Sequence, residues 1–119
     1  MSDGPAIEIL NIKAGMPSVE EARRRLIVAI TSAKARGVGV LKIVHGYGAS
    51  GVGGKLRGAL RQSLSLRRKE GLIEEVIYGE KWSVFEEHSL ALIDRYPALR
   101  RDQDLNISNE GVTLVVLQK

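Results

Sequence analysis

VGVLKIV at Val38–Val44, followed by HGYGASGVGGKLR at His45–Arg57, sets the fold of this chain and the place where it acts. The first segment is a short apolar run that reads as a buried strand. The second holds five glycines, one histidine, one serine and two cations. Leu56, Leu60 and Leu64 follow at helical spacing, so a helix is expected from about Gly54 to Glu70, stopped by Gly71. A glycine-rich turn between a strand and a helix is a ready anion site. Its backbone N–H groups can converge on one ligand, and the helix N-terminus adds partial positive charge. His45 begins this turn and Lys55 and Arg57 end it, so the loop reads as one that meets phosphates.

Upstream, Ile7–Ile12 reads as a strand, and Pro17 and Ser18 open a helix. Ser18 with Glu21 makes a capping box. Val19, Ala22, Leu26, Ile30 and Ala33 give that helix one apolar face, and Gly37 closes it. Downstream, Leu72–Tyr78 is a third strand. Ser83 and Glu86 suggest a second capping box, so a third helix is expected to run to about Tyr96 and stop at Pro97. Ala98–Gly111 is polar and irregular, and Val112–Leu117 is a closing strand. The β-α-β-α-β-(α)-β order favours an α/β domain, a two-layer sandwich with a mixed, mostly parallel sheet.

The 119 residues suit one domain over 1–119 with a single aliphatic core, since aromatics are 4%. There is no cysteine, hence no disulfide or thiolate metal site. No apolar run approaches a membrane span, and no signal-like segment opens the chain, so a cytoplasmic protein is expected. The net charge of +4 is unevenly spread. Residues 1–69 carry 13 Lys/Arg against 4 Asp/Glu, and residues 70–119 carry 5 against 10. A basic half that contains the glycine loop suggests a polyanion partner, nucleic acid above all. Arg23-Arg24-Arg25 and Arg67-Arg68-Lys69 can equally be solvated helix faces.

Three motifs compete for the loop. A P-loop needs a glycine where Ala49 stands and Ser or Thr where Leu56 follows Lys55, so it fails twice. A dinucleotide fingerprint is met by Gly46-Tyr47-Gly48-Ala49-Ser50-Gly51, but the expected helix opens several residues late. The third is a family pattern. His45-Gly46-Tyr47-Gly48, then Gly54, then Leu56-Arg57 after an apolar strand resembles the signature of the Smr (small MutS-related) domain. Ser18–Ala22 resembles that family's first helix, and Gly111–Leu117 its final strand. The resemblance covers about 7–78 and 110–117, leaving 79–109 as an inserted helix and loop. It implies a fold similar to the C-terminal domain of translation initiation factor three. It also implies nucleic-acid binding, an endonuclease-like activity, and a setting in DNA repair or ribosome quality control.

The family's first strand normally ends in L-D-x-H, and here the matching residues are Leu10-Asn11-Ile12-Lys13. Asn11 cannot accept a proton at neutral pH, and a lysine ammonium is a cation rather than a base. Lys13 can still bind phosphate. His45 is the remaining candidate catalytic group, with Lys13, Lys55 or Arg57 stabilising charge on the phosphorus centre. The competing role for His45 is a hydrogen bond that fixes the loop. Gly46, Tyr47, Gly48, Gly54, Lys55, Arg57, Arg61 and Lys13 make up the expected nucleic-acid surface, with Tyr47 stacking on a base. Ser50 lacks a base, and His88 reads as a surface residue. Asp102-Gln103-Asp104 lacks calcium-loop spacing, so no metal or cofactor is assigned. The alternative is a protein-interaction module that uses 79–109.

Overall fold

A computed structural model describes residues 6–46 and 51–117. The elements are β1 Ile7–Asn11, α1 Val19–Ala35, β2 Val40–Val44, α2 Gly51–Lys69, β3 Glu75–Tyr78, α3 Glu87–Arg95 and β4 Val112–Val116. Short 3₁₀ turns occupy Gly79–Lys81 and Pro97–Arg101.

Local chemistry fixes the two long helices. Ser18 Oγ accepts the Glu21 N–H at 3.1 Å and so caps α1. Beyond α1 the chain turns through Gly37 at φ +80°, with Val38 N–H bonded to Ala33 O at 2.9 Å. Beyond α2 it turns through Gly71, also at φ +80°, with Leu72 N–H on Arg67 O at 2.9 Å. Both are Schellman closures, which a left-handed residue permits. Leu72 is thereby spent on closing α2, and β3 begins only at Glu75.

The sheet order is β1-β2-β4-β3. β1, β2 and β3 share one direction, in keeping with a mostly parallel set of strands. β4 enters reversed between β2 and β3, so β1·β2 is the parallel pairing, and β2·β4 and β3·β4 are antiparallel. The expected parallel neighbours are corrected in this respect. The crossover from β2 to β3 leaves one strand position open, and the chain returns from beyond Tyr78 to fill it. The two central strands are buried on both faces, which is why they read as unbroken apolar runs.

On one face, Leu26 and Ile30 of α1 and Leu60 and Leu64 of α2 pack on Leu41, Ile43 and Val115. This is the expected two-layer core. The other face is not left open. Trp82, Leu92, Ile93 and Leu99 cover Val40, Leu114 and Val116, so residues 79–109 add a third layer. Tyr96 lies so close to Gly39 that a Cβ there would come within 2.1 Å of its hydroxyl. The expected capping box in this segment does not form. Ser83 Oγ accepts from Phe85 N–H at 3.1 Å, and α3 starts later, after Glu86, with no side-chain cap.

The third layer also holds a buried charge cluster. Lys42, 2% exposed, projects from β2 and donates to Asp102 Oδ1 at 2.7 Å and Asp104 Oδ2 at 2.5 Å. Trp82 Nε1 donates to Asp102 at 3.0 Å, and Asn109 Nδ2 to Asp104 at 2.8 Å. Burial alone would lower the pKa of Lys42, but the two carboxylates hold it above its ordinary value. Burial likewise opposes ionisation of Asp104, yet Lys42 and Asn109 keep its pKa below the ordinary value.

Candidate functional site

The site is built where β2 runs out. Val44 is the last strand residue, and the N–H groups of His45 and Gly46 both bond Gly111 O at 3.0 Å. Gly46 sits at φ +78°, a left-handed turn that glycine takes without strain. The start of β4 therefore anchors the start of the glycine loop. The His45 ring is 1% exposed. Its Nδ1 lies 2.8 Å from Gly46 O, and its Nε2 lies 2.9 Å from Thr113 Oγ1. A carbonyl can only accept, so Nδ1 carries the proton and the neutral Nε2 accepts from the Thr113 hydroxyl. Burial, reinforced by the charges of Arg61 and Arg57, pushes the His45 pKa below 6.5, against the Gly46 carbonyl and Glu80, which act the other way. The imidazole is neutral near pH 7, with both nitrogens engaged.

Lys13 is drawn to the same place. It follows β1 in an exposed turn, and its Cδ lies 3.6 Å from where a Cβ on Gly46 would stand. Asn11 is exposed at the end of β1, in register with Val44. Gly54 belongs to the first turn of α2, and the exposed Lys55 follows it. Tyr47, Gly48 and Ser50 lie outside the described residues. The first turn of α2 contains no acidic residue to oppose an anion.

The two arginines differ. Arg57, with its side chain 29% exposed, is paired by one nitrogen to Glu110 at 2.8 Å. Arg61 is held from several sides. Glu80 takes it through two bonds of 2.7 and 2.8 Å, and its guanidinium lies 4.1 Å above the Tyr78 ring. The hydrogen bonds and charge of Arg61 hold Glu80 below the usual carboxylate range. Arg61 thus joins α2 to the end of β3, and a phosphate would have to break a bidentate pair to reach it. Glu80, Glu110 and Thr113 had no signal in the sequence beyond the acidic balance of its second half. They lie many residues from the side chains they meet.

The basic runs divide. Arg23, Arg24 and Arg25 are exposed on the half of α1 that begins near Lys13, and Arg25 donates to Ala14 O at 3.1 Å. Arg67-Arg68-Lys69 occupy the last turn of α2, about 15 Å along the helix from Arg57, where they complement its C-terminal dipole. His88 is exposed and pairs with the Glu75 carboxylate. Asp102 and Asp104 face Lys42. Among the described residues, no group of three His, Cys, Asp or Glu side chains could hold a metal ion. No helix there is long and apolar enough to cross a membrane.

Known proteins match this architecture. The Smr domain of Thermus thermophilus MutS2 superposes with a TM-score of 0.57 at 22% identity, covering 94% of this chain and 99% of that one. That is a likeness of fold. No curated protein matches the sequence. The Smr domain family profile matches residues 14–77, starting just after Lys13 and ending within β3. With more than half its length matched, the chain belongs to the Smr domain family.

Proposed function

We propose that this Smr domain binds the sugar–phosphate backbone of RNA or DNA at the end of the sheet where β1 and β2 finish. Lys13, Lys55 and Arg57 are its cations, and the glycine loop and the start of α2 are its backbone donors. The observation that carries this reading is the placement of Lys13 beside Gly46. A cation meets the loop at the position where the family resemblance leads one to expect an imidazole. Such contacts read phosphates and carry no sequence preference.

His45 is assigned to holding the loop. A general base needs a free acceptor nitrogen within reach of the proton it takes. Both nitrogens of His45 already have partners inside the protein. Binding with weak or no cleavage is the outcome this favours. The test is a salt series with labelled single-stranded RNA and duplex DNA. Lys13→Ala, Lys55→Ala and Arg57→Ala should each weaken binding and lower the slope of log K against log salt by nearly one unit on duplex DNA. An unchanged slope would remove these residues from the interface. Cleavage that is lost in His45→Ala would restore the catalytic role.

A second reading has its own observation. Phe85 is 90% and Ile107 60% exposed, and the Val84 N–H bond to Asn106 Oδ1 at 2.9 Å brings their segments together. A protein partner on 79–109 would be lost in Phe85→Ser and retained in Lys55→Ala.

A further inference from the structure

β1 is an edge strand, and among the described residues no strand pairs along its outer side. The Ala6 carbonyl and the Ile12 N–H are both turned toward β2. By the two-residue alternation of a strand, the N–H and C=O groups of Ile7, Ile9 and Asn11 point outward. Such edges are usually blunted by lysine, proline, a bulge or a covering element, because they template pairing with another chain. β1 contains neither lysine nor proline, and its one charge, Glu8, is occupied by Arg36 at 2.5 and 2.9 Å. Apolar surface lies open on both sides of it. Ile9 is 64% exposed on the face shared with the third layer, and Val28 of α1 is 67% exposed on the other. Beside Val28, a groove floored by Leu10 and Ala29 runs between β1 and α1.

We propose that this edge is a homodimer interface, in which a second copy of the chain pairs antiparallel to β1 about a two-fold axis through Ile9. The five residues Ile7–Asn11 are centred on Ile9. Ile9 therefore meets Ile9 of the second copy, and Ile7 meets its Asn11, each pair exchanging both N–H···O bonds. The exposed Ile9 side chains cover one another. On the opposite face the two α1 helices lie antiparallel around Val28. The charges then match. α1 carries Glu20 and Glu21 in its first turn and Lys34 and Arg36 at its end. Glu21, paired with Arg25 of its own chain, and Arg36, paired with Glu8, line the same groove, so each Glu21 comes opposite Arg36 of the second copy and the two pairs join in one network. Arg24 comes opposite Ser32, which avoids a clash of like charges. A closed two-fold contact of this kind is self-complementary and cannot propagate.

The test uses the absence of cysteine. In an antiparallel hydrogen-bonded pair the Cα atoms stand about 5.5 Å apart, within the span of a disulfide. Ile9→Cys should give a disulfide-linked dimer on mild oxidation, far faster than Ser65→Cys on the exposed face of α2. Ile7→Cys mixed with Asn11→Cys should cross-link, and neither alone should. Sedimentation of the wild-type chain should show a concentration-dependent dimer, and Ile9→Lys should abolish it while leaving unchanged the melting curve taken at a dilution where both chains are monomeric. A wild-type chain that stays monomeric up to millimolar concentration overturns the proposal. A dimer that survives Ile9→Lys, or Ile9→Cys cross-linking no faster than Ser65→Cys, overturns it equally.

Discussion

The two faces of the sheet are filled by different means. The face under α1 and α2 is aliphatic, made of side chains that recur at helical spacing. The other face is covered by a segment with one short helix, two 3₁₀ turns, a buried tryptophan and two aspartates that hold the buried Lys42 of β2. The first is cohesive wherever it is cut. The second depends on a few polar contacts whose loss exposes charge to a dry interior. A layer with little regular structure is thus fixed by other means than a helical one, and it fails differently.

The largest expected effect tests that contrast directly. Lys42→Ala leaves Asp102 and Asp104 without their counter-charge and should cost about 3–5 kcal/mol in urea unfolding. Lys42→Met combined with Asp102→Asn and Asp104→Asn removes the whole cluster and should cost clearly less. If the two variants were equally unstable, the cluster would be mere packing. On the helical face, Leu60→Ala should cost about 2–5 kcal/mol from its cavity, with no charge to rescue. Hydrogen exchange should separate the two. Lys42→Ala should release the Asn106 N–H, bonded to Trp82 O, before the amides of α1, and Leu60→Ala should not.

A smaller effect concerns the two serines that look alike in sequence. Ser18→Ala removes a cap and should cost about 1 kcal/mol. Ser83→Ala removes a bond inside a turn, not a helix cap, and should cost less; equal losses would mean that Ser83 does more than close its turn.

The smallest effects are in pH. The His45 pKa is depressed below 6.5 in the folded chain, so the unfolded chain takes up the proton first. Its contribution is complete above pH 6.5 and is lost as pH falls through the folded-state value. Asp104 is depressed below 3.8, so its contribution persists above that pH and is lost only in stronger acid, together with those of Glu8 and Glu80. Stability should therefore fall in two steps, and His45→Gln should remove the first and keep the second. A single step in the wild-type chain would mean that His45 is not held neutral.

The contrast between the faces also explains what the sequence disclosed. α1 was readable from Ser18 to Gly37 because one cap, one apolar stripe and one glycine stop act locally. The central strands were readable because both their faces are buried. The reversed entry of β4 was not, since no local rule distinguishes a parallel from an antiparallel buried run. Lys42 carries no signal of its role inside its apolar run, because its partners lie about sixty residues away. At the site, Lys13 and His45 were legible through motif positions. The restraint of Arg57 and Arg61 by Glu110 and Glu80 was not, because it depends on where β4 enters.

Tyr78, the last residue of β3, stands directly opposite Thr113 of β4. Everything between them leaves and rejoins the sheet at one point, as the loop of a hairpin does. Its length is then nearly free in entropic terms, since closure cost grows only with the logarithm of loop length. A descendant or a designer could shorten, lengthen or replace residues 79–111 without moving β3 or β4. The obligations are to bring something apolar back over Val40, Leu114 and Val116, a counter-charge to Lys42, and the Gly111 carbonyl to the N–H groups of His45 and Gly46.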